Sequence, residues 1–272
     1  MLKTVTIDGE TRFYEDDGQG PPVVLVHGSL SNARQWRSLI ERLRPRFRVL
    51  APDLYACEQN GGPARQGAFT FEQDCALVER LIDIGGADVS LVGHSYGGVV
   101  SIKVALTCAD RIARLILIEP SCFHLLRQTG DPAYAEIADM ERRQQGSAMR
   151  EGPEVSARCF IEYWMGPAVW PAMPERRRQA MVLGIPKLAQ DWGGVGKDVT
   201  CSDDYRKIGA PTLLLRAKDT KAPSRRIVDL ILPLIPGALL REVESGGHMS
   251  PLTNPDPVND EIDRFLSEGR PL

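Results

Sequence analysis

The sequence lacks the long apolar runs, the basic blocks and the clustered cysteines that mark several protein classes. None of its apolar runs is long enough to span a bilayer, and residues 1–8 lack the apolar segment of a signal peptide. The formal net charge of −3 is spread along the chain, whereas binding to phosphate backbones requires a basic face. We therefore expect a cytoplasmic protein that has neither a membrane nor a nucleic acid as its partner.

The six cysteines are widely spaced and form no Cys-x-x-Cys pair. This spacing argues against a zinc site and against a dense disulfide framework. A chain of 272 residues can bury one large core, with or without an inserted subdomain. We expect no metal and no organic cofactor, and a small molecule as the substrate. The oligomeric state is not indicated.

Short apolar runs alternate with amphipathic helical segments in residues 1–120 and again in residues 206–272. This alternation is typical of an α/β fold, in which a mostly parallel sheet is covered by helices on both faces. In residues 121–205 the alternation fails, and the segment is helical and rich in aromatic side chains. We therefore predict a core domain built from the first two ranges and a helical cap, or lid, formed by residues 121–205.

Residues 93–97 read Gly-His-Ser-Tyr-Gly and lie between a predicted buried strand and a predicted helix. In this context the pattern Gly-x-Ser-x-Gly forms a turn too tight for side chains at the flanking positions. The turn raises the serine hydroxyl above the sheet, at the N-terminus of the helix. Ser95 is therefore the predicted nucleophile.

A serine hydroxyl needs a base to take its proton, and the chain has four histidines. We expect His94 to be structural because it adjoins Ser95, and His27 to brace the loop after its strand. His124 begins the predicted cap, where it either lines the pocket or lies at the surface. His248 follows two glycines after the last predicted strand, and it is the predicted base by position and by elimination.

The oxyanion that forms when a serine attacks a carbonyl requires preorganised N–H donors. Two backbone amides are the candidates. Tyr96 directly follows the predicted nucleophile, and Ser29 follows His27 and Gly28 at the end of a neighbouring strand. We predict that the N–H groups of Ser29 and Tyr96 form the oxyanion hole.

These motifs together resemble the α/β-hydrolase superfamily, in its serine-nucleophile, esterase- and lipase-like branch, over nearly the whole chain. Residues 27–29 match the family's oxyanion loop, residues 93–97 its nucleophile elbow, and residues 247–248 its histidine loop. The resemblance implies an eight-stranded, mostly parallel sheet with helices on both faces and a helical cap between strands six and seven. A serine nucleophile argues against the dehalogenase and epoxide hydrolase branches, which use aspartate.

Two segments depart from the family pattern. Residues 53–60 lack the glycines that many members carry after strand four, so Tyr55 and Cys57 either contact the substrate or lie at the surface. The acid that orients the histidine stands in Gly-x-x-Asp after strand seven in many members, but Asp219 comes one position early here. Glu119, at the end of strand six, resembles the acid of relatives that use that strand. We favour Glu119 and keep Asp219 as the alternative.

The predicted reaction is acyl transfer from a carboxylic ester, a lactone or a thioester of a small, largely apolar substrate. Two alternatives remain open: hydrolysis of a carbon–carbon bond by the same residues, and a ligand-binding receptor built on a hydrolase fold. The predicted pocket residues are Tyr55, His124, Trp164, Trp170 and Met249. The sequence does not identify the substrate.

Overall fold

The computed structural model describes residues 1–55 and 70–268. Its eight strands form one sheet in the order β1-β2-β4-β3-β5-β6-β7-β8. The strands are β1 (Leu2–Ile7), β2 (Glu10–Asp17), β3 (Pro22–Val26), β4 (Arg48–Pro52), β5 (Val89–His94), β6 (Ile112–Ile118), β7 (Thr212–Ala217) and β8 (Leu239–Val243). The pairs β1–β2 and β2–β4 are antiparallel and the other five pairs are parallel. The prediction of an eight-stranded, mostly parallel sheet is confirmed.

Thirteen α-helices connect or follow the strands in the described ranges. They are α1 (Arg37–Leu43), α2 (Phe71–Gly85), α3 (Tyr96–Thr107), α4 (Phe123–Gln128), α5 (Tyr134–Arg150), α6 (Pro153–Met165), α7 (Val169–Ala172), α8 (Glu175–Leu183), α9 (Ile185–Gly196), α10 (Ser202–Tyr205), α11 (Ala222–Ile231), α12 (Ser250–Thr253) and α13 (Pro255–Ser267). Short 3₁₀ turns cover Ala33–Trp36, Ala109–Arg111 and Gly247–Met249.

The central strands are buried on both faces, as continuous apolar runs predict. Along β3, Val23 and Leu25 pack in the layer formed with α1 and α13, whereas Val24 and Val26 pack in the layer formed with α2 and α3. The two faces alternate because successive side chains of a strand point to opposite sides of the sheet. Burying each of these aliphatic side chains contributes about 2 kcal/mol.

Helix α2 begins at the capping box that its sequence predicts. The Thr70 hydroxyl accepts a hydrogen bond from the Gln73 N–H, and the Gln73 side chain accepts one from the Thr70 N–H. This reciprocal cap satisfies two N–H groups that the first turn of a helix would otherwise leave unpaired. It also fixes the first turn of α2, which carries the buried Asp74.

Helices α4–α10 lie between β6 and β7 in chain order, where the sequence predicts a helical cap. Aromatic rings join several of them. The Phe123 ring of α4 stacks on Trp192 of α9, with 5.4 Å between centroids, and lies 6.5 Å from Trp164 of α6. The division of the chain into a core domain and a separate cap subdomain stays a prediction. Within the described ranges, no helix has the length and apolar character needed to cross a membrane.

Candidate active site

Ser95 stands at the sharp turn between β5 and α3, in a backbone conformation that non-glycine residues seldom adopt. Its φ is +55°. The Ser95 N–H donates to the Ile118 carbonyl of β6 over 3.0 Å, and the Ser95 carbonyl accepts from the N–H groups of Gly98 and Ser121 over 2.9 and 3.1 Å. These bonds hold the strained turn in place, with the side chain at the carboxyl edge of the sheet.

The glycines at 93 and 97 are required by close approach of neighbouring backbone. A Cβ on Gly93 would lie 2.3 Å from the Ser101 Oγ and 2.4 Å from the Gly97 carbonyl oxygen. A Cβ on Gly97 would lie 2.3 Å from the Val26 carbonyl oxygen of β3. All three distances are shorter than real Cβ contacts, so this turn requires glycine at both positions.

His248 lies between Ser95 and Glu119 and contacts both. Its Nε2 is 2.9 Å from the Ser95 Oγ, and its Nδ1 is 2.9 Å from the Glu119 Oε2. An imidazole protonated at Nδ1 donates to the carboxylate and leaves Nε2 to accept the hydroxyl proton. The side chains of His248 and Glu119 are 3% and 0% exposed, so the pair is shielded from water.

Glu119 is held by two further donors. Its Oε1 accepts from the Ala217 N–H of β7 over 2.9 Å, and its Oε2 accepts from the Thr220 hydroxyl over 2.6 Å. A buried carboxylate is tolerated when such donors surround it. The residue directly follows β6 and precedes Pro120, and its φ of +42° is a conformation that non-glycine residues seldom adopt.

Asp219 contacts the backbone of the histidine loop. Its Oδ1 accepts from the Gly247 N–H over 2.9 Å and its Oδ2 from the Gly246 N–H over 3.2 Å. The structure therefore brings Glu119 to the imidazole and Asp219 to the loop that carries it. The assignment of the acid stays a prediction, as do the roles of Ser95 and His248.

The two predicted oxyanion donors lie beside Ser95. Ser29 and Tyr96 both line the cavity above the Ser95 hydroxyl. Among the described residues, neither backbone N–H has a hydrogen-bond acceptor. Tyr96 is the first residue of α3, where the helix dipole favours negative charge.

The cavity is small, and five of the ten described residues that line it are aromatic. With its mouth included, the space between its atoms is about 310 Å³, at the small end of ligand pockets. The polar residues of the described ranges that line it are three serines, Tyr96 and Asp191. The lining residues are Ser29, Ser95, Tyr96, Ser121, Phe123, Phe160, Trp164, Asp191, Trp192 and Val195.

Of the predicted pocket residues, Trp164 lines this cavity, and its ring centroid lies 4.0 Å from that of His248. Met249 lines a wider neighbouring groove, which shares Ser29 and Phe160 with the cavity.

Three other predicted pocket residues are buried, and in the described part of the chain they line neither space. Tyr55 packs under the Arg12 guanidinium, 3.7 Å from its ring centroid. The His124 Nδ1 is 3.7 Å from an Asp198 carboxylate oxygen, and Trp170 is 5% exposed. Cys57 lies outside the described residues.

The two histidines predicted to be structural are buried and hydrogen-bonded. The His94 Nε2 donates to the His248 carbonyl over 2.8 Å, and its Nδ1 accepts from the Gln35 amide over 3.1 Å. Burial lowers the pKa of His94 to about 3, so this ring is neutral. The His27 Nδ1 donates to the Gly28 carbonyl, and its Nε2 accepts from the Leu54 N–H over 3.0 Å.

Sequence reasoning missed a buried ionic cluster beside the cavity. The Lys187 ammonium of α9 contacts Asp191 of the same helix and donates over 2.7 Å to Asp74 of α2. Burial raises the pKa of Asp191 to about 6, because it outweighs the attraction of Lys187. For Lys187 the two carboxylates outweigh burial, and its pKa is raised. The signal was the i, i+4 spacing of Lys187 and Asp191 on a helix, which equally fits a solvated surface pair.

Ser121 was also missed. Its hydroxyl lies 3.0 Å from the Ser95 Oγ, in the same cavity. Its N–H donates to the Ser95 carbonyl, and this hydrogen bond joins the segment after β6 to the turn after β5. A single serine two residues after Glu119 carries no sequence pattern that predicts this contact.

Comparison with known proteins gives a consistent result. Residues 23–261 match a family model described as the alpha/beta hydrolase family. The chain is 25% identical over 265 residues to RutD of Azorhizobium caulinodans, a protein provisionally named a carbamate hydrolase, and the match covers 94% of this chain and 95% of that protein.

Solved structures share the fold over nearly the whole chain. A hydrolase from Pseudomonas aeruginosa PA01 is 25% identical with a TM-score of 0.76, and the match covers 97% of this chain and 98% of that one. A thermophilic esterase from Thermogutta terrifontis is 24% identical with a TM-score of 0.78, covering 98% of both chains.

Proposed function

Since the chain belongs to the alpha/beta hydrolase family, we propose that it hydrolyses a carboxylic ester, lactone or thioester of a small, largely apolar substrate through an acyl-enzyme on Ser95. The observation that carries the proposal is the continuous chain of contacts Ser95–His248–Glu119, with 2.9 Å at each step. A nucleophile, a base that reaches it and a group that orients the base are the parts that such chemistry needs.

In the first half of the reaction the Ser95 Oγ attacks the carbonyl carbon, and the His248 Nε2 takes the hydroxyl proton. The Glu119 carboxylate stabilises the positive charge that develops on the imidazole. The N–H groups of Ser29 and Tyr96 bind the oxyanion of the tetrahedral intermediate. When the intermediate collapses, the carbon–oxygen or carbon–sulfur bond breaks, and His248 gives its proton to the leaving group.

In the second half, a water molecule attacks the acyl group on Ser95, and His248 takes a proton from that water. The same N–H groups bind the second oxyanion. The ester bond to Ser95 then breaks, His248 returns a proton to the Ser95 oxygen, and the carboxylic acid leaves. Free Ser95 is regenerated, and neither step uses a residue outside the described site.

The lining of the cavity supports a small, neutral substrate. Phe123, Phe160, Trp164 and Trp192 line the space above Ser95, and in the described part of the chain Asp191 is the one acidic residue that lines it. An anionic substituent beside that carboxylate would be repelled in a site of low dielectric. We therefore expect a short neutral ester to be hydrolysed faster than its anionic analogue, measured as kcat/KM. Faster turnover of the anionic analogue would contradict this expectation.

Labelling with a fluorophosphonate probe tests the nucleophile. Ser29, Ser95 and Ser121 all line the cavity, so the labelled peptide must be identified by mass spectrometry. We expect the label on Ser95 alone, its loss in Ser95→Ala, and its retention at Ser95 in the matched variant Ser121→Ala. A label on Ser29 or Ser121, or ester turnover by folded Ser95→Ala near the wild-type rate, would overturn the proposal.

A substrate panel tests the bond that is cleaved. It should contain an activated short-chain ester, a lactone, a thioester, a carbamate and a vinylogous 1,5-diketone. Turnover of the ester, the lactone or the thioester that depends on Ser95 supports the proposal. If only the diketone is cleaved, the protein is a carbon–carbon bond hydrolase. If only the carbamate is cleaved, the acyl-transfer mechanism holds with another substrate class.

A further inference from the structure

The side chains of Ser29 and Tyr96, whose amides are the proposed oxyanion donors, both donate hydrogen bonds to one buried ionic cluster. The Ser29 hydroxyl donates to the Asp191 Oδ2 over 2.6 Å, and the Tyr96 phenol donates to the Asp74 Oδ2 over 2.7 Å. Lys187 joins the two carboxylates, because its ammonium donates to both. The two residues whose amides are the proposed oxyanion donors are therefore linked to each other through their side chains.

The cluster is shielded from water. The side chains of Asp74, Asp191 and Lys187 are 1%, 4% and 9% exposed. The Lys187 ammonium also lies 4.7 Å from the centroid of the Tyr96 ring, within cation–π range. Asp74 accepts a further hydrogen bond from the Tyr55 N–H over 2.8 Å, which joins the cluster to the segment that follows β4.

Such a cluster gives little net stability. Taking charges out of water costs several kcal/mol per ion, and apolar side chains of similar size often stabilise a protein as well or better. In some proteins buried ionic contacts instead fix the geometry of the groups that they join. An oxyanion hole needs fixed geometry, because its donors must lie at hydrogen-bond distance from an atom that is present only in the intermediate.

We propose that Asp74, Lys187 and Asp191 are positioning residues of the oxyanion hole, which hold the Ser29 and Tyr96 amides in place through the hydroxyl groups of those two side chains. This inference rests on the proposed function. The cluster donates nothing to the substrate oxygen. It acts through Ser29 and Tyr96 and limits the freedom of the loop after β3 and of the first turn of α3.

The sharpest test removes one hydroxyl at a time and leaves each backbone N–H in place. Ser29→Ala breaks the bond to Asp191, and Tyr96→Phe breaks the bond to Asp74. We expect kcat for an activated ester to fall about tenfold in each variant, less than the hundredfold or greater loss when an oxyanion donor itself is removed. KM should stay within about twofold of wild type, because the contacts to the ground state are unchanged.

A second readout separates positioning from a structural role. A trifluoromethyl ketone forms an oxyanion on a serine nucleophile, so its inhibition constant should rise in parallel with the fall in kcat. Tyr163→Phe is the matched control, since it removes a phenol that donates to Glu136 over 2.8 Å, away from the cluster. We expect it to leave both kcat and the inhibition constant unchanged.

A double variant tests whether Asp191 and Ser29 affect kcat through the same contact. If Asp191 acts through Ser29, the double variant Ser29→Ala with Asp191→Asn should be no slower than the slower single variant. Additive losses of kcat in the double variant would overturn the inference. Unchanged kcat and unchanged inhibitor affinity in Ser29→Ala and Tyr96→Phe would also overturn it. These two single variants test the inference even if Asp191→Asn fails to fold. Absence of Ser95-dependent turnover in the wild type would instead overturn the proposed function, and this inference with it.

Discussion

Glu119 and Asp219 hold different parts of the segment that carries His248. Glu119 reaches the ring at Nδ1, whereas Asp219 accepts from the backbone N–H groups of Gly246 and Gly247. Both glycines have a positive φ, so the loop adopts a conformation that needs fixing. In the proposed mechanism the contact with Glu119 orients the imidazole and stabilises its charge. The contacts with Asp219 fix the backbone position of the loop that carries His248.

Replacing each carboxylate by its amide separates these roles. We expect Glu119→Gln to lower kcat by up to about ten-thousandfold, because the imidazole loses its charge partner and its correct tautomer. Asp219→Asn should lower kcat by about tenfold or less, since the amide oxygen still accepts from one loop N–H. Both variants should be assayed on one activated ester, with folding checked by thermal melting. A larger loss in folded Asp219→Asn would assign the acid to Asp219.

At the scale of elements, the turn between β5 and α3 depends on contact with β3. The Gly97 Cα faces the Val26 carbonyl so closely that a methyl group would force the two elements apart. Gly193 of α9 is also a helical glycine, but no described atom outside its own helical turn would lie within 4 Å of a Cβ at this position. Replacing each glycine by alanine therefore distinguishes two effects. At position 97 the change tests the contact with β3, and at position 193 it tests the low helix propensity of glycine alone.

We expect Gly97→Ala to lower the free energy of unfolding by about 3 kcal/mol, because the overlap involves backbone and cannot be relieved by a rotamer change. Gly193→Ala should raise it by about 0.5 to 1 kcal/mol, since alanine restricts the unfolded chain and favours the helix. Urea denaturation measures both. Similar values for the two variants would show that the contact with β3 does not limit the turn.

The elements that the sequence predicted correctly are those with a local cause. The apolar run of β3, the capping box of α2 and the Gly-x-Ser-x-Gly turn each depend on residues within a few positions of one another. The ionic cluster could not be predicted in this way, because Asp74 and Lys187 are 113 positions apart and each alone fits a solvated surface. The same holds for Tyr55, whose burial under Arg12 is a tertiary contact.

At the scale of the whole molecule, buried histidines make stability depend on pH. Burial lowers the pKa of His27, His94 and His124 below the usual value of about 6.5. Below that pH the unfolded chain binds protons that the folded chain excludes, so stability is lost as the pH falls. Asp191 acts in the opposite sense below about pH 6, because its pKa is raised. Burial also raises the pKa of Glu141, so three histidines act against two carboxylates, and we expect a net loss of stability.

We expect the free energy of unfolding of the wild type to fall as the pH is lowered from 6.5 to 4.5. In His94→Gln it should fall less steeply over the same range. The difference in slope should approach about 1.4 kcal/mol per pH unit, the value for one proton. Glutamine keeps an N–H that can donate to the His248 carbonyl, so the comparison isolates the titration. Urea titrations at several pH values give the free energy of unfolding of both proteins. An equal dependence of this free energy on pH in the two proteins would contradict a neutral, buried His94.

The contact between Ser95 and His248 spans 153 positions of the chain, and this distance has a consequence during synthesis. At a translation rate of about 5 to 20 residues per second, roughly 8 to 30 s separate the synthesis of the serine from that of the histidine. Throughout that interval the nascent chain carries the hydroxyl and, once Glu119 is made, the carboxylate, but no base between them. In the proposed mechanism, a growing chain on the ribosome therefore cannot hydrolyse an ester until β8 has been made and the loop that carries His248 has packed onto the sheet.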